Sequence, residues 1–174
     1  MTQASAPRSL AEALSALQSG ARPVAGATDL LVVDHATGRR HTAVVSLLDI
    51  EELQGIREAE GHLDIGGAVT FAHLRESEPV KRQASALAAA AATIGATQIQ
   101  NRATIGGNIA NASPAGDSLP VLLALGAHLS VFGPAGRRTL DYAGFHTGYR
   151  TTELNSGEII ERIGDRILGR VSLE

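Results

Sequence analysis

The sequence predicts one α+β or α/β sheet domain, on three observations. Short apolar runs bounded by glycine alternate with stretches of helical periodicity. No internal repeat or low-complexity linker interrupts them. The chain's 174 residues are the size of an ordinary domain, or of two small lobes sharing an interface, and can bury a core without metals or disulfides.

The elements follow in chain order. Ser9-Leu-Ala-Glu12 is a capping box, and Leu10, Leu14 and Leu17 form an apolar stripe that ends at Gly20, which predicts a helix over residues 9–19. Residues 22–25 read as a strand entering the turn Gly26-Ala-Thr-Asp29, followed by the apolar run 30–33 and a polar loop over 34–40. A second strand covers 43–46. Residues 55–59 and 62–65 form paired strands joined around Gly61. Thr70 is placed to cap a helix over 71–77, and Pro79 suits the first turn of another that carries residues 80–92. The run 119–125, closed by Gly126, has a helical pattern. Residues 128–132 and 137–140, separated by Gly-Pro-Ala-Gly, form a hairpin.

Composition excludes several classes of function. A net charge of −3 offers no field for a polyphosphate backbone, so nucleic acid is not an expected partner. The absence of cysteine excludes disulfides, thiolate catalysis and an iron–sulfur cluster held by this chain, so redox chemistry here needs a bound organic cofactor. The polar N-terminus lacks a signal peptide's apolar core and no apolar stretch is long enough to span a bilayer, which gives the expectation of a soluble, cytoplasmic protein. The six histidines show no zinc-helix spacing, no serine sits in a nucleophile elbow, and Glu51-Glu52 read as a solvated face.

Two segments are denser in small residues than a turn needs: Ala25-Gly-Ala-Thr-Asp-Leu30 and Thr104-Ile-Gly-Gly-Asn-Ile-Ala-Asn-Ala-Ser-Pro-Ala-Gly-Asp117. Missing side chains let a ligand approach the backbone, and successive exposed N–H groups form a concave anion site suited to a pyrophosphate. Neither segment has Rossmann or P-loop spacing. Each alone is ordinary turn chemistry.

Taken together, these segments resemble the FAD-binding domain of the flavoprotein subunits of molybdenum hydroxylases, the class that includes xanthine and carbon monoxide dehydrogenases. The resemblance starts at Ser9-Leu-Ala-Glu-Ala-Leu14 and continues through residues 22–33, Leu48-Asp-Ile-Glu-Glu-Leu53 and Leu63-Asp-Ile-Gly-Gly-Ala68. It then covers residues 101–120 and ends in Gly144-Phe-His-Thr-Gly-Tyr-Arg150 and Gly157-Glu-Ile-Ile160. It implies the two-lobed α+β architecture shared with p-cresol methylhydroxylase and vanillyl-alcohol oxidase. The first lobe would cover residues 1–60, the second 61–165, and 166–174 would be a tail unlike the family. FAD would lie between the lobes.

By the same resemblance, the turn of Pro23, Val24, Ala25, Gly26, Ala27, Thr28, Asp29 and Leu30 would hold the pyrophosphate together with Thr104, Ile105, Gly106, Gly107 and Asn108. Backbone amides and the hydroxyls of Thr28 and Thr104 would make the contacts. Asp117 would accept a hydrogen bond from a ribose-type hydroxyl, Ile94 would touch the cofactor, and the backbone near Ile160 would approach the isoalloxazine ring. No catalytic acid, base or metal ligand is implied. The resemblance implies an electron-transfer role from a [2Fe–2S] small subunit to NAD or another acceptor, beside a molybdopterin-containing large subunit. The alternative is a non-catalytic subunit-association module that holds flavin weakly or not at all. A stand-alone flavin reductase acting on a sugar nucleotide would need a substrate domain for which the chain has no room.

Three departures from the family pattern carry expectations of their own. Ala27 stands where a second glycine is usual, which requires φ below zero there. His146 replaces an aromatic, so one ring contact is expected to be lost. The residues after the Glu-Ile-Ile segment do not resemble the start of the family's C-terminal domain, so that domain is expected to be missing from this chain.

Overall fold

In the computed structural model, the described residues are 3–59 and 62–165. Two sheets and their helices form an α+β architecture. The smaller sheet is parallel and holds β1 (Gln3–Ser5), β2 (Arg22–Val24) and β3 (Ala43–Ser46) in the order β1-β3-β2. Parallel neighbours need a crossover, which α1 (Leu10–Gln18) and α2 (Leu30–Thr37) supply. The capping box forms as the sequence dictates: the Ser9 hydroxyl accepts the Glu12 N–H at 3.3 Å. Glu12 reaches back one residue further than expected, to the N–H of Arg8 at 2.9 Å. Leu10, Ala13 and Leu17 then bury one face of α1 over Val45, Ile50 and Leu53, closing the smaller of two cores.

The larger sheet is antiparallel, in the order β4-β5-β10-β6-β7, from β4 (Ile56–Ala59), β5 (His62–Gly66), β6 (Ala127–Gly133), β7 (Gly136–Asp141) and β10 (Ile159–Asp165). Alternate residues Ala127, Leu129 and Val131 of β6 point into the larger core, the period a half-buried strand requires. Against that face pack α3 (Phe71–Glu76), α4 (Glu78–Gln83), α5 (Ser85–Thr93), α6 (Thr97–Gln100), α7 (Ile105–Asn111) and α8 (Ser118–Ala124). A two-stranded hairpin, β8 (His146–Gly148) with β9 (Thr151–Thr152), lies apart from both sheets.

Several sequence expectations are corrected here. The polar segment after residue 33 is not a loop: α2 continues to Thr37 and is closed by Gly38 at φ 67°. Its periodicity is hard to read because none of its residues is buried, and Leu31 and Val32 stand exposed. The helix expected over 80–92 is two, because Ala84 breaks it at φ −135°, ψ 53°. Alanine favours helix, so tertiary packing around the buried Ala84 sets the break. His146 loses no ring contact: its imidazole meets Tyr142 and Phe145 edge-on at centroid distances of 5.3 and 5.1 Å. The turn around Gly61 and the tail 166–174 lie outside the described residues.

Candidate functional site

The turn after β2 and the start of α7 meet across a cleft of about 770 Å³, within the range typical of small-molecule sites. Close backbone approach creates this meeting. A Cβ on Gly26 would lie 2.0 Å from the carbonyl oxygen of Arg102, so only glycine lets the first loop rest on the segment leading to α7. Gly106 presses against Gly67 in the same way, and Gly67 against the carbonyl of Ile160; added Cβ atoms would meet those oxygens at 2.6 and 2.1 Å. The Gly106 N–H donates to Gly67 O, and the Gly67 N–H to Glu161 O, both at 2.9 Å. These glycines therefore weld backbone to backbone. Gly107 alone among them is not pressed against another backbone: a Cβ there would meet the Thr104 hydroxyl at 2.9 Å and otherwise only Ala25, at 4.0 Å.

The two loops differ in what their amides do. Ile105, Gly106, Gly107 and Asn108 donate to Val69 O, Gly67 O, the Thr104 hydroxyl and Thr104 O, respectively. The segment 104–108 is thus the capped first turn of a helix, whose amides already have acceptors within the chain. What it offers the cleft is the Thr104 hydroxyl hydrogen, the Asn108 side chain and the gap at Gly107. In the first loop, by contrast, the N–H groups of residues 25 through 30 find no acceptor among the described residues. Ala27 sits at φ 61°, against the expectation of a negative angle. A left-handed residue within a run of unaccepted N–H groups is the geometry of an anion-binding nest. The strain of alanine in that region, of order 1–2 kcal/mol, is a feature of the site itself.

Of the residues expected at a site, Pro23 through Leu30, Ile94, Thr104, Gly106, Gly107, Asn108 and Ile160 line this one cleft. Ile105 does not, since its side chain is fully buried in the larger core. Asp117 is exposed at the rim beside the lining residue Gly116. It makes no helix-capping bond, and one of its oxygens accepts from the Thr93 hydroxyl at 3.3 Å. Sequence reasoning did not place Gly67, Asn111 or Arg150 at a site. The Gly66-Gly67 doublet was the available signal for the first, while Arg150 reaches the cleft only through the fold of the β8–β9 hairpin.

Charge favours an anion. Arg22, Arg39 and Arg150 line the cleft with Asp29 and Glu158, and both carboxylates are already paired. Arg150 Nη1 donates to Asp29 at 3.0 Å, and this bond raises the guanidinium's pKa further. Arg138 grips Glu158 with two bonds of 2.8 Å and, with the Asn155 N–H, holds its carboxyl down at about 2 against the opposing effect of burial. The lining thus carries a surplus of guanidinium charge, while Val33, Leu47, Leu53, Ile94, Leu154 and Ile160 give the same cleft apolar walls. The backbone of Ile160 is set by a bulge in β10 between Ile160 and Arg162, where the bulged Glu161 accepts Arg137 Nε at 2.8 Å. Among the described residues, no cluster could hold a metal ion and no helix is long and apolar enough to cross a membrane.

A cleft with unaccepted amides and apolar walls suits a ligand that joins phosphate to a flat ring. Residues 1–164 match the family model described as FAD binding domain in molybdopterin dehydrogenase. The chain is 40% identical over 154 residues to the xanthine dehydrogenase FAD-binding subunit of Escherichia coli O157:H7, covering 87% of this chain and 53% of that protein. It is 37% identical over 162 residues to the carbon monoxide dehydrogenase medium chain of Hydrogenophaga pseudoflava, covering 91% and 56%. The chain therefore spans about half the length of the curated relatives it matches. Among solved structures, a chain of carbon monoxide dehydrogenase from Hydrogenophaga pseudoflava superposes with a TM-score of 0.90 at 34% identity, covering 94% of this chain and 58% of that one. Quinoline 2-oxidoreductase from Pseudomonas putida 86 superposes with a TM-score of 0.92 at 27% identity, covering 97% and 60%.

Proposed function

This chain belongs to the family of FAD binding domains in molybdopterin dehydrogenases, and on that premise we propose that its cleft holds FAD as the flavin station of an oxidoreductase complex. The observation that carries the site is the run of unaccepted N–H groups over residues 25 through 30, opposite the gap at Gly107. A pyrophosphate supplies oxygens for several such donors, whereas the single phosphate of FMN supplies fewer, so the site favours FAD. Pro23 through Leu30 would hold the pyrophosphate through these amides and the Thr28 hydroxyl. Thr104 and Asn108 would contribute side-chain groups from the opposite wall. Asp117 at the rim would accept a ribose-type hydroxyl, and Ile94 and the Ile160 backbone would bound the ring.

When bound, the flavin can take electrons singly and pass them on in pairs. The protein's own residues bind, orient and exclude water, and none is needed to move a proton. We further propose that the electrons arrive from a [2Fe–2S] small subunit beside a molybdopterin-containing large subunit and leave to NAD or another acceptor. Medium and FAD-binding subunits among the relatives support this reading. The test is the visible spectrum of the purified chain after incubation with an equimolar mixture of FAD and FMN, followed by heat release and chromatography of what was bound. Recovery of FAD is expected. Recovery of FMN alone refutes the cofactor assignment, and a colourless chain favours a subunit-association module.

A further inference from the structure

Two asparagines on one face of α7, Asn108 and Asn111, line the cleft, and each has its side-chain carbonyl oxygen tied down from behind. Asn108 Oδ1 accepts the hydroxyl of the fully buried Ser118 at 2.7 Å. Asn111 Oδ1 accepts Nη1 of Arg150 at 2.8 Å. The second contact leaves no ambiguity about which way the amide points. A guanidinium carries donors only, so Asn111 can meet it solely with its oxygen, and its NH2 group must face elsewhere. That NH2 finds no acceptor among the described residues, and neither does the NH2 of Asn108. Arg150 is itself held in place, because the same Nη1 donates to Asp29 at the start of α2.

We infer that Asn111 is a cofactor-binding residue that donates its amide, beside that of Asn108, to acceptor oxygens along the phosphate and ribityl part of FAD. The inference rests on the FAD reading above. The cleft then presents donors from two sides: backbone amides from residues 25 through 30, and side-chain amides from α7.

The competing explanation is that Asn111 only anchors Arg150, and Asn111→Asp separates the two. Aspartate accepts from Arg150 at least as well as asparagine, but it has no N–H to give and turns an anion toward an anionic ligand. Apoprotein melting temperature and FAD dissociation constant are measured for the parent, Asn111→Asp and Asn111→Ala. The expected result is a melting temperature for Asn111→Asp at or above the parent's, with FAD bound about tenfold or more weakly, and Asn111→Ala weakened at least several-fold. Parental affinity in Asn111→Asp overturns the inference. So does parental affinity in Asn111→Ala, which would assign the loss in the aspartate variant to its charge alone. A parent chain that takes up no FAD brings down the cofactor reading and this inference together, whereas a parent that binds and an Asn111→Asp variant that matches it brings down only the inference.

Discussion

Glu158 ties the last strand of the larger sheet to the β6–β7 hairpin, and its environment makes that tie dependent on pH. Its carboxylate accepts two bonds of 2.8 Å from Arg138 and one of 2.7 Å from the Asn155 N–H, and its side chain is only 7% exposed. These contacts hold its pKa at about 2, against an ordinary 4.5. At about 1.4 kcal/mol per unit the shift corresponds to roughly 3.4 kcal/mol of stability. Arg138 is 37% exposed, so solvent screens part of the interaction and about 2–3 kcal/mol is the better expectation. Because the folded-state pKa is depressed, the contribution is fully present above about pH 4.5 and is lost as the pH falls towards about 2, with half gone near about pH 3.2. Urea unfolding of the parent and of Glu158→Gln at pH 7, 5, 4 and 3 measures it. The gap between the two proteins should be constant from pH 7 to 5 and narrow by about half at pH 3. A gap that stays constant down to pH 3 would show that the carboxylate's charge contributes nothing to the tie.

The two kinds of glycine should respond differently to added bulk. Gly26→Ala drives a Cβ into the Arg102 carbonyl and should destabilise the fold by about 3 kcal/mol or more, seen as a lowered melting temperature. Gly107→Val, whose first carbon meets only the Thr104 hydroxyl closely, should cost no more than the cap, about 0.5–2 kcal/mol, while abolishing FAD uptake; unchanged uptake would make Gly107 a turn residue only. Asp117→Asn should leave the apoprotein's melting temperature unmoved, because no capping bond is at stake, and weaken FAD binding roughly five- to hundred-fold in a titration of the apoprotein. Equal affinities would remove Asp117 from the site. Ala27→Gly relieves a left-handed alanine and should raise stability by about 0.5–1 kcal/mol net of the extra chain entropy of glycine; a loss of stability in urea would contradict that strain.

The sequence by itself determined those elements whose signals are local. Ser9 and Thr70 cap their helices because a hydroxyl needs only an N–H three residues ahead, and the alternation in β6 needs only a sheet with one buried face. It also singled out both small-residue segments, where missing side chains let a ligand approach the backbone, although each alone reads as turn chemistry. What each glycine is for was decided only by tertiary structure. Gly26, Gly67 and Gly106 are empty because another backbone occupies the space, while Gly107 is empty toward the cleft, and nothing in the sequence distinguishes one kind from the other. The same holds for which amides are free. Those of 105–108 are used by Thr104, Val69 and Gly67, and those of 25 through 30 are not. Asn111 and Arg150 were illegible for the same reason: the contact that turns the asparagine toward the cleft joins residues 39 apart in the chain, and only the packing of the β8–β9 hairpin against α7 brings donor and acceptor within a hydrogen bond.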